Sequence, residues 1–179
     1  MFHVTRRLLL RPAWPEDWEA LFGGIADNRV VRNLARAPWP YLPRHARAFV
    51  AREQDSRMPS FLMTLPGQHG SRIIGSIGLT ATETGVELGY WIARPFWGQG
   101  YATEAGSGLL EVAKLLGHGR LEAGHFLDNP ASGRVLRKLG FRPTGKVARR
   151  HSCARGEDVD CALFALDLSE VDLTPPMAA

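Results

Sequence analysis

Two glycines, Gly98 and Gly100, flank a single glutamine, Gln99, inside the stretch RPFWGQGYATEA at 94–105, and a helical apolar pattern begins directly behind them. Glycine weakens regular structure, so it persists where backbone turns sharply or approaches something closely. Either this is a plain tight turn, or it is a cradle for an anion. A loop that opens a helix aims unpaired amides at one point, and the helix dipole adds partial positive charge there. Phosphate is the default occupant, and Thr103 adds a hydroxyl. Two nucleotide readings fail. A Walker loop needs Lys followed by Ser or Thr after the second glycine, and Tyr101 and Ala102 stand there instead. A dinucleotide fingerprint needs a third glycine at the place of Thr103 and belongs to a first βαβ unit; Glu122 at a ribose-like distance does not repair that.

The elements around the turn follow from period and punctuation. VTRRLLLRP reads as one strand ended by Pro12, and PEDWEALFGGI as a helix with Pro15 in its first turn and Trp18, Leu21, Phe22 and Ile25 at helical spacing. A second helix is expected over 44–57. SFLMTL, RIIGSIGLT and GVELGYWI are short and rich in β-branched and aromatic residues, which predicts an antiparallel meander ending at Ile92. Ala102, Ala105, Leu109, Val112, Ala113 and Leu116 form one helical stripe, stopped by GHG. RLEAGHFL is a strand, and NPASGRVLRKLG a helix capped by Asn129 or Asp128 with Gly140 past its end. Strands near 141–149 and 159–168 close the sheet. The expected class is α+β, with one domain over 1–170 and a frayed tail over 171–179.

Composition bounds the partners. The 179 residues are 45% hydrophobic, enough for a sizeable core, and the formal charge of +4 is mild. Such a charge suits an anionic ligand, but no lysine-rich tail or dense arginine block argues for nucleic acid. Cys153 and Cys161 make no disulfide framework, so the simpler reading is reduced thiols in a cytoplasmic protein. The six histidines lack ligand spacing, so no metal is expected. Leu8, Leu9 and Leu10 are too short an apolar run for a signal or a membrane span.

ELGYWIARPFWGQGYATEA followed by DNPASGRVLRKLGF resembles the GNAT superfamily of acyl-CoA-dependent N-acyltransferases, with a nearer likeness to the ribosomal-protein alanine N-acetyltransferase branch. The likeness extends from TRRLLLRPAWPED to RGEDVDCALFAL. It implies a mixed, mostly antiparallel sheet of about seven strands with about four helices, splayed between the fourth and fifth strands. It departs from the family loop at the first position, where Pro95 stands and Arg94 lies one step earlier. A cradle of backbone amides does not depend on that side chain. The resemblance implies acetyl-CoA as donor, with the pyrophosphate on amides of Trp97, Gly98, Gln99, Gly100, Tyr101, Ala102 and Thr103. The pantetheine arm would pair along Tyr90, Trp91, Ile92 and Ala93, and Asn129 matches the position that meets it. Arg134 and Lys138, four apart on one helical face, either neutralise coenzyme phosphates or form a solvated face.

The implied chemistry is direct attack of a neutral amine on the thioester, which requires a base, donors for the developing oxyanion and a proton for the leaving sulfur. Strand amides near Ile92 would supply a donor. Many GNAT enzymes carry an acid tyrosine where this chain has Leu136, whereas the branch it resembles uses the motif serine, here Ser132; the alternative is that Ser132 caps its helix. Glu87, on the strand entering the splay, is a candidate base acting through water, or else a structural ion pair. His151 is the second candidate base, or a surface histidine. A terminal α-amine, with a pKa of about 7.7–8.0 against about 10.4 for lysine, needs little help to become neutral. The absence of an obvious strong base therefore leans toward an α-amine or a similarly acidic small amine. The acceptor is a protein N-terminus or a small-molecule amine; a non-catalytic acyl-CoA sensor is the alternative class, and a homodimer is a family expectation. Trp14, Trp39, Tyr41 and Trp97 are either acceptor-pocket walls or core aromatics.

Overall fold

A computed structural model describes residues 1–67 and 70–170. The expected tail over 171–179 lies outside the described residues. Among the described residues eight strands form one sheet: β1 (His3–Val4), β2 (Leu9–Arg11), β3 (Ser60–Leu65), β4 (Arg72–Ala81), β5 (Val86–Ile92), β6 (Arg120–Phe126), β7 (Arg142–Ser152) and β8 (Glu157–Asp167). Their spatial order is β1-β2-β3-β4-β5-β6-β8-β7, antiparallel throughout except where β5 meets β6 in parallel. Among the described residues five α-helices accompany them: α1 (Trp18–Ile25), α2 (Asn28–Val31), α3 (Pro43–Val50), α4 (Tyr101–Leu115) and α5 (Pro130–Lys138). The mixed α+β class and the three-stranded meander are as the sequence predicts.

Three elements depart from expectation. VTRRLLLRP is two strands, because Thr5 closes a turn: its amide donates to the Leu8 carbonyl at 2.9 Å, and its hydroxyl bonds Glu104 on α4 at 2.7 Å. The extra strand shifts the count, so the splay expected between the fourth and fifth strands lies between β5 and β6. Helix α2 is a single turn capped by the Asp27 side chain, which accepts from the Arg29 amide. It is too short to show a period. α3 stops at Val50, since polar residues without apolar recurrence follow it.

The two faces of the sheet bury different helices. Leu88 and Ile92, with Tyr90 packed beside them, belong to the core under α4 and α5, together with Leu109, Leu110 and Phe141. Trp91 and Ala93 belong to the core under α1 to α3, together with Leu21, Val31 and Leu62. This is the two-residue alternation of a strand buried on both faces. It sets odd-numbered side chains of β5 on one face and even-numbered ones on the other. Both faces matter for the site.

Candidate active site

After β5 the chain makes a tight turn over Arg94–Phe96 and enters α4 through Gly98 (φ 74°) and Gly100 (φ 81°). Both angles are left-handed, where a Cβ is strained, so glycine is required there by the backbone itself. Gly100 caps α4 with no side-chain hydrogen bond, and the first helical amide to find a carbonyl there is that of Glu104, at 3.0 Å to Gly100. The Trp97 amide, expected in the cradle, is instead spent inside the tight turn, donating to the Arg94 carbonyl at 3.2 Å, so the cradle begins at Gly98. A Cβ built on Gly98 meets nothing within 4 Å, so the loop surface is open on that side.

The turn is held from beneath by the first hairpin. Arg7 donates to Glu104 through its backbone amide and its Nε, both at 2.6 Å, and through Nη2 to the Gln99 carbonyl at 3.1 Å. Its guanidinium lies 4.3 Å over the Tyr101 ring. Burial pushes the Glu104 carboxyl up, but hydrogen bonds from Thr5 and Arg7 prevail and hold it below the usual range. Nothing in the first hairpin announced this role, because Arg7 and Glu104 are 97 residues apart.

Next to the turn the sheet opens. β5 and β6 register at Glu87 opposite Glu122 and then part. The Ala93 amide donates to Ile74 on β4 at 2.8 Å, so by alternation the Ile92 backbone faces the gap. Its carbonyl is already taken: the Trp97 indole donates to it at 2.7 Å. A cleft of about 450 Å³ fills the gap and is lined from both faces of the sheet. On the α4–α5 face stand Gly98, Gly100, Thr103, Ser132, Arg134 and Lys138; on the other stand Val30, Asn33, Leu34, Glu87 and Arg150.

Ser132 sits on the first turn of α5. Asn129 caps that helix, its side-chain oxygen accepting from the Ser132 amide at 3.4 Å, so capping does not occupy the serine hydroxyl. That hydroxyl instead lies 2.9 Å from the Tyr90 hydroxyl, and the two share a hydrogen bond. The α5 position where many GNAT enzymes carry a tyrosine holds Leu136, and a tyrosine reaches the same serine from β5 instead. Burial pushes the Tyr90 phenol up, with the Ser132 hydrogen bond pulling the other way. The even-residue alternation of β5 was the signal that could have found it.

Glu87 lines the cleft and accepts from Arg150 Nη1 at 2.6 Å. His151 does not line it. Neighbouring side chains of β7 point to opposite faces, so Arg150 turns inward while His151 pairs across the strand with Asp158 at 3.0 Å and is exposed. The histidine that does line the cleft is His125, whose Nδ1 lies 2.9 Å from the Phe126 carbonyl. Of the aromatic residues considered as walls, Trp97 lines the cleft. Trp14 lies under the Arg11 guanidinium at 3.9 Å, Tyr41 is buried in the core under α1 to α3, and Trp39 is exposed. Outside the cleft lining, Arg155 makes a closure between the turn after β7 and the end of α2: it donates to both oxygens of Asp128 at 2.8 and 3.0 Å and to the Arg32 carbonyl at 2.8 Å.

A split sheet, a glycine turn opening α4 and an Asn-capped α5 converge on one cleft, and residues 7–142 match the family described as the acetyltransferase (GNAT) domain. The chain belongs to the GNAT family. This GNAT chain is 28% identical over 169 residues to the protein named Uncharacterized N-acetyltransferase YoaA of Bacillus subtilis (strain 168), covering 90% of this chain and 94% of that one. A GNAT-family acetyltransferase structure from Bacillus anthracis is 25% identical with a TM-score of 0.81, covering 95% of this chain and all of that one. Mycobacterium smegmatis RimJ, solved with CoA-disulfide, superposes with a TM-score of 0.74 at 22% identity over 96% of this chain and 89% of its own, a likeness of fold. The GNAT protein is an acyl-CoA-dependent acetyltransferase. Among the described residues no helix is long and apolar enough to cross a membrane.

Proposed function

We propose that this GNAT enzyme transfers the acetyl group of acetyl-CoA to a primary α-amine by direct attack across the gap between β5 and β6. One observation carries the reading: a carboxylate, Glu87, and a hydroxyl pair, Tyr90–Ser132, line the same cleft from opposite faces of the sheet. Direct transfer needs that arrangement, with proton removal on the acceptor side and proton delivery on the side of the leaving sulfur.

The free amides of the Gly98–Gly100 turn suit the coenzyme pyrophosphate, and Arg134 and Lys138 on the cleft wall suit its remaining charge. Among the strand residues, only Tyr90 and Ile92 turn backbone toward the gap, since Trp91 and Ala93 turn theirs toward β4. The Ile92 amide is the donor available to a carbonyl oxygen that gains negative charge. The Asn129 amide group, whose oxygen caps α5, keeps its two N–H donors for the pantetheine arm. Acetyl-CoA supplies the acetyl thioester. Glu87 draws the amine proton through water, and Tyr90 passes its proton through Ser132 toward the sulfur. A phenol, with an ordinary pKa of about 10, is a far better acid than an alcohol, so Ser132 acts as the relay.

The test is free-thiol release from acetyl-CoA with a panel of α-amines, joined to mass spectrometry of the amine. Thiol release with a matching acetylated product is the expected result. No release with any amine, by protein that binds acetyl-CoA, refutes it.

A further inference from the structure

The acceptor side of the cleft carries a charge pattern that acetyl transfer alone does not require. Arg150 reaches in from β7, and one of its five N–H donors goes to Glu87 Oε1. Both side chains stay partly open to the cleft, at 32% and 22% exposure. The pair therefore presents guanidinium donors beside a carboxylate. Facing it are the apolar Val30 and Leu34. Gly124 lies beneath, where a Cβ would come within 3.4 Å of Arg150 Nη1.

Resting on the acetyl-transfer reading, we propose that the acceptor amine bears a carboxylate within a few bonds of its nitrogen and that Arg150 binds this carboxylate. An amine without a carboxylate leaves the remaining guanidinium donors unmatched and gains less from the site, which is the basis of discrimination. An amine with its own carboxylate matches both halves of the ion pair, the carboxylate on Arg150 and the ammonium toward Glu87. A bidentate guanidinium–carboxylate contact also fixes the amine in orientation, which few other side chains do as well. The same contact places the ammonium beside Glu87, the group that the acetyl-transfer reading assigns to receive its proton.

Free amino acids and peptides that begin with Asp or Glu share this chemistry. The experiment compares kcat/KM for L-amino acids, the matching amino-acid amides, peptides beginning with Asp, and the same peptides beginning with Asn. Wild-type protein is expected to prefer the carboxylate member of at least one pair by tenfold or more; which pair does so identifies the source. Arg150→Gln is expected to abolish that preference by lowering the acid far more than the amide, and Arg150→Lys to restore part of it. Equal rates for acid and amide in the wild type overturn the proposal. So does an equal fall for both in Arg150→Gln, which would leave Arg150 as a support for Glu87. Acetylation of diamines alone also overturns it, while acetyl transfer itself stands. If Arg150→Gln does not fold, the wild-type comparison decides alone.

Discussion

Tyr90→Phe removes one oxygen and leaves the ring in its packing against the core. The lost contact is the 2.9 Å hydrogen bond to Ser132. If that bond only orients the serine, its loss costs about 0.5–1.5 kcal/mol, which is at most about tenfold in rate at about 1.4 kcal/mol per decade. If the phenol supplies the proton, the loss is that of a general acid, about 10²–10⁴-fold. The two cases do not overlap. We expect kcat to fall at least a hundredfold at saturating acetyl-CoA, followed by thiol release, with little change in acetyl-CoA affinity measured by calorimetry. Ser132→Ala should fall comparably. The double variant should be no worse than the poorer single one, because residues that act as a unit are not additive. A Tyr90→Phe enzyme within tenfold of wild type, or a double variant whose losses multiply, would refute the relay.

Gly98→Asp or Gly100→Asp puts a strained side chain and a negative charge on the turn, and acetyl-CoA affinity should fall at least tenfold, about 1.4 kcal/mol, with the fold intact by circular dichroism. Glu104→Gln weakens the charge-assisted bonds from Arg7 and Thr5, and denaturation at neutral pH should show a loss of about 2 kcal/mol. Because the folded carboxyl is held low, its contribution is full above the unfolded value of about 4.3 and is lost as pH falls through the depressed one, so Glu104→Gln should flatten the acid limb of Tm against pH. His151→Ala should leave kcat/KM within about twofold, since the side chain is exposed and lies outside the cleft lining; a hundredfold loss would return His151 to the chemistry.

The glycine turn, the meander and the Asn-capped helix were legible because each rests on local chemistry: a left-handed φ, a two-residue period, an N-cap. Asn129 and Gly140 stand where helix punctuation predicts them. Facing was harder. Arg150 and His151 are adjacent, and which of them turns inward depends on which face of the β7–β8 hairpin meets the cleft, which is set where β8 pairs with β6, as at His125 opposite Ala162, residues well apart along the chain. The sequence offers Tyr90 only as backbone for a ligand, because it is the packing of α5 that brings Ser132 over its hydroxyl. Partners such as Arg7 and Glu104 carry no sequence pattern at all. They meet because two elements cross, and spacing does not encode that.

The closure by Arg155 bears on how the molecule assembles. Its bond to the Arg32 carbonyl spans 123 residues, and the Cys153 amide bonds the Ala35 carbonyl at 2.9 Å across the same seam. Each half of the sheet is built from nearer neighbours, the meander on one side and the β6–β8–β7 ladder on the other. Loop closure over long separations comes late in folding because its entropy must be met before contacts reward it. The cleft is therefore a long-range feature, present only while the two halves of the sheet stay docked along that seam. Its integrity depends on this docking as well as on the fold of each half.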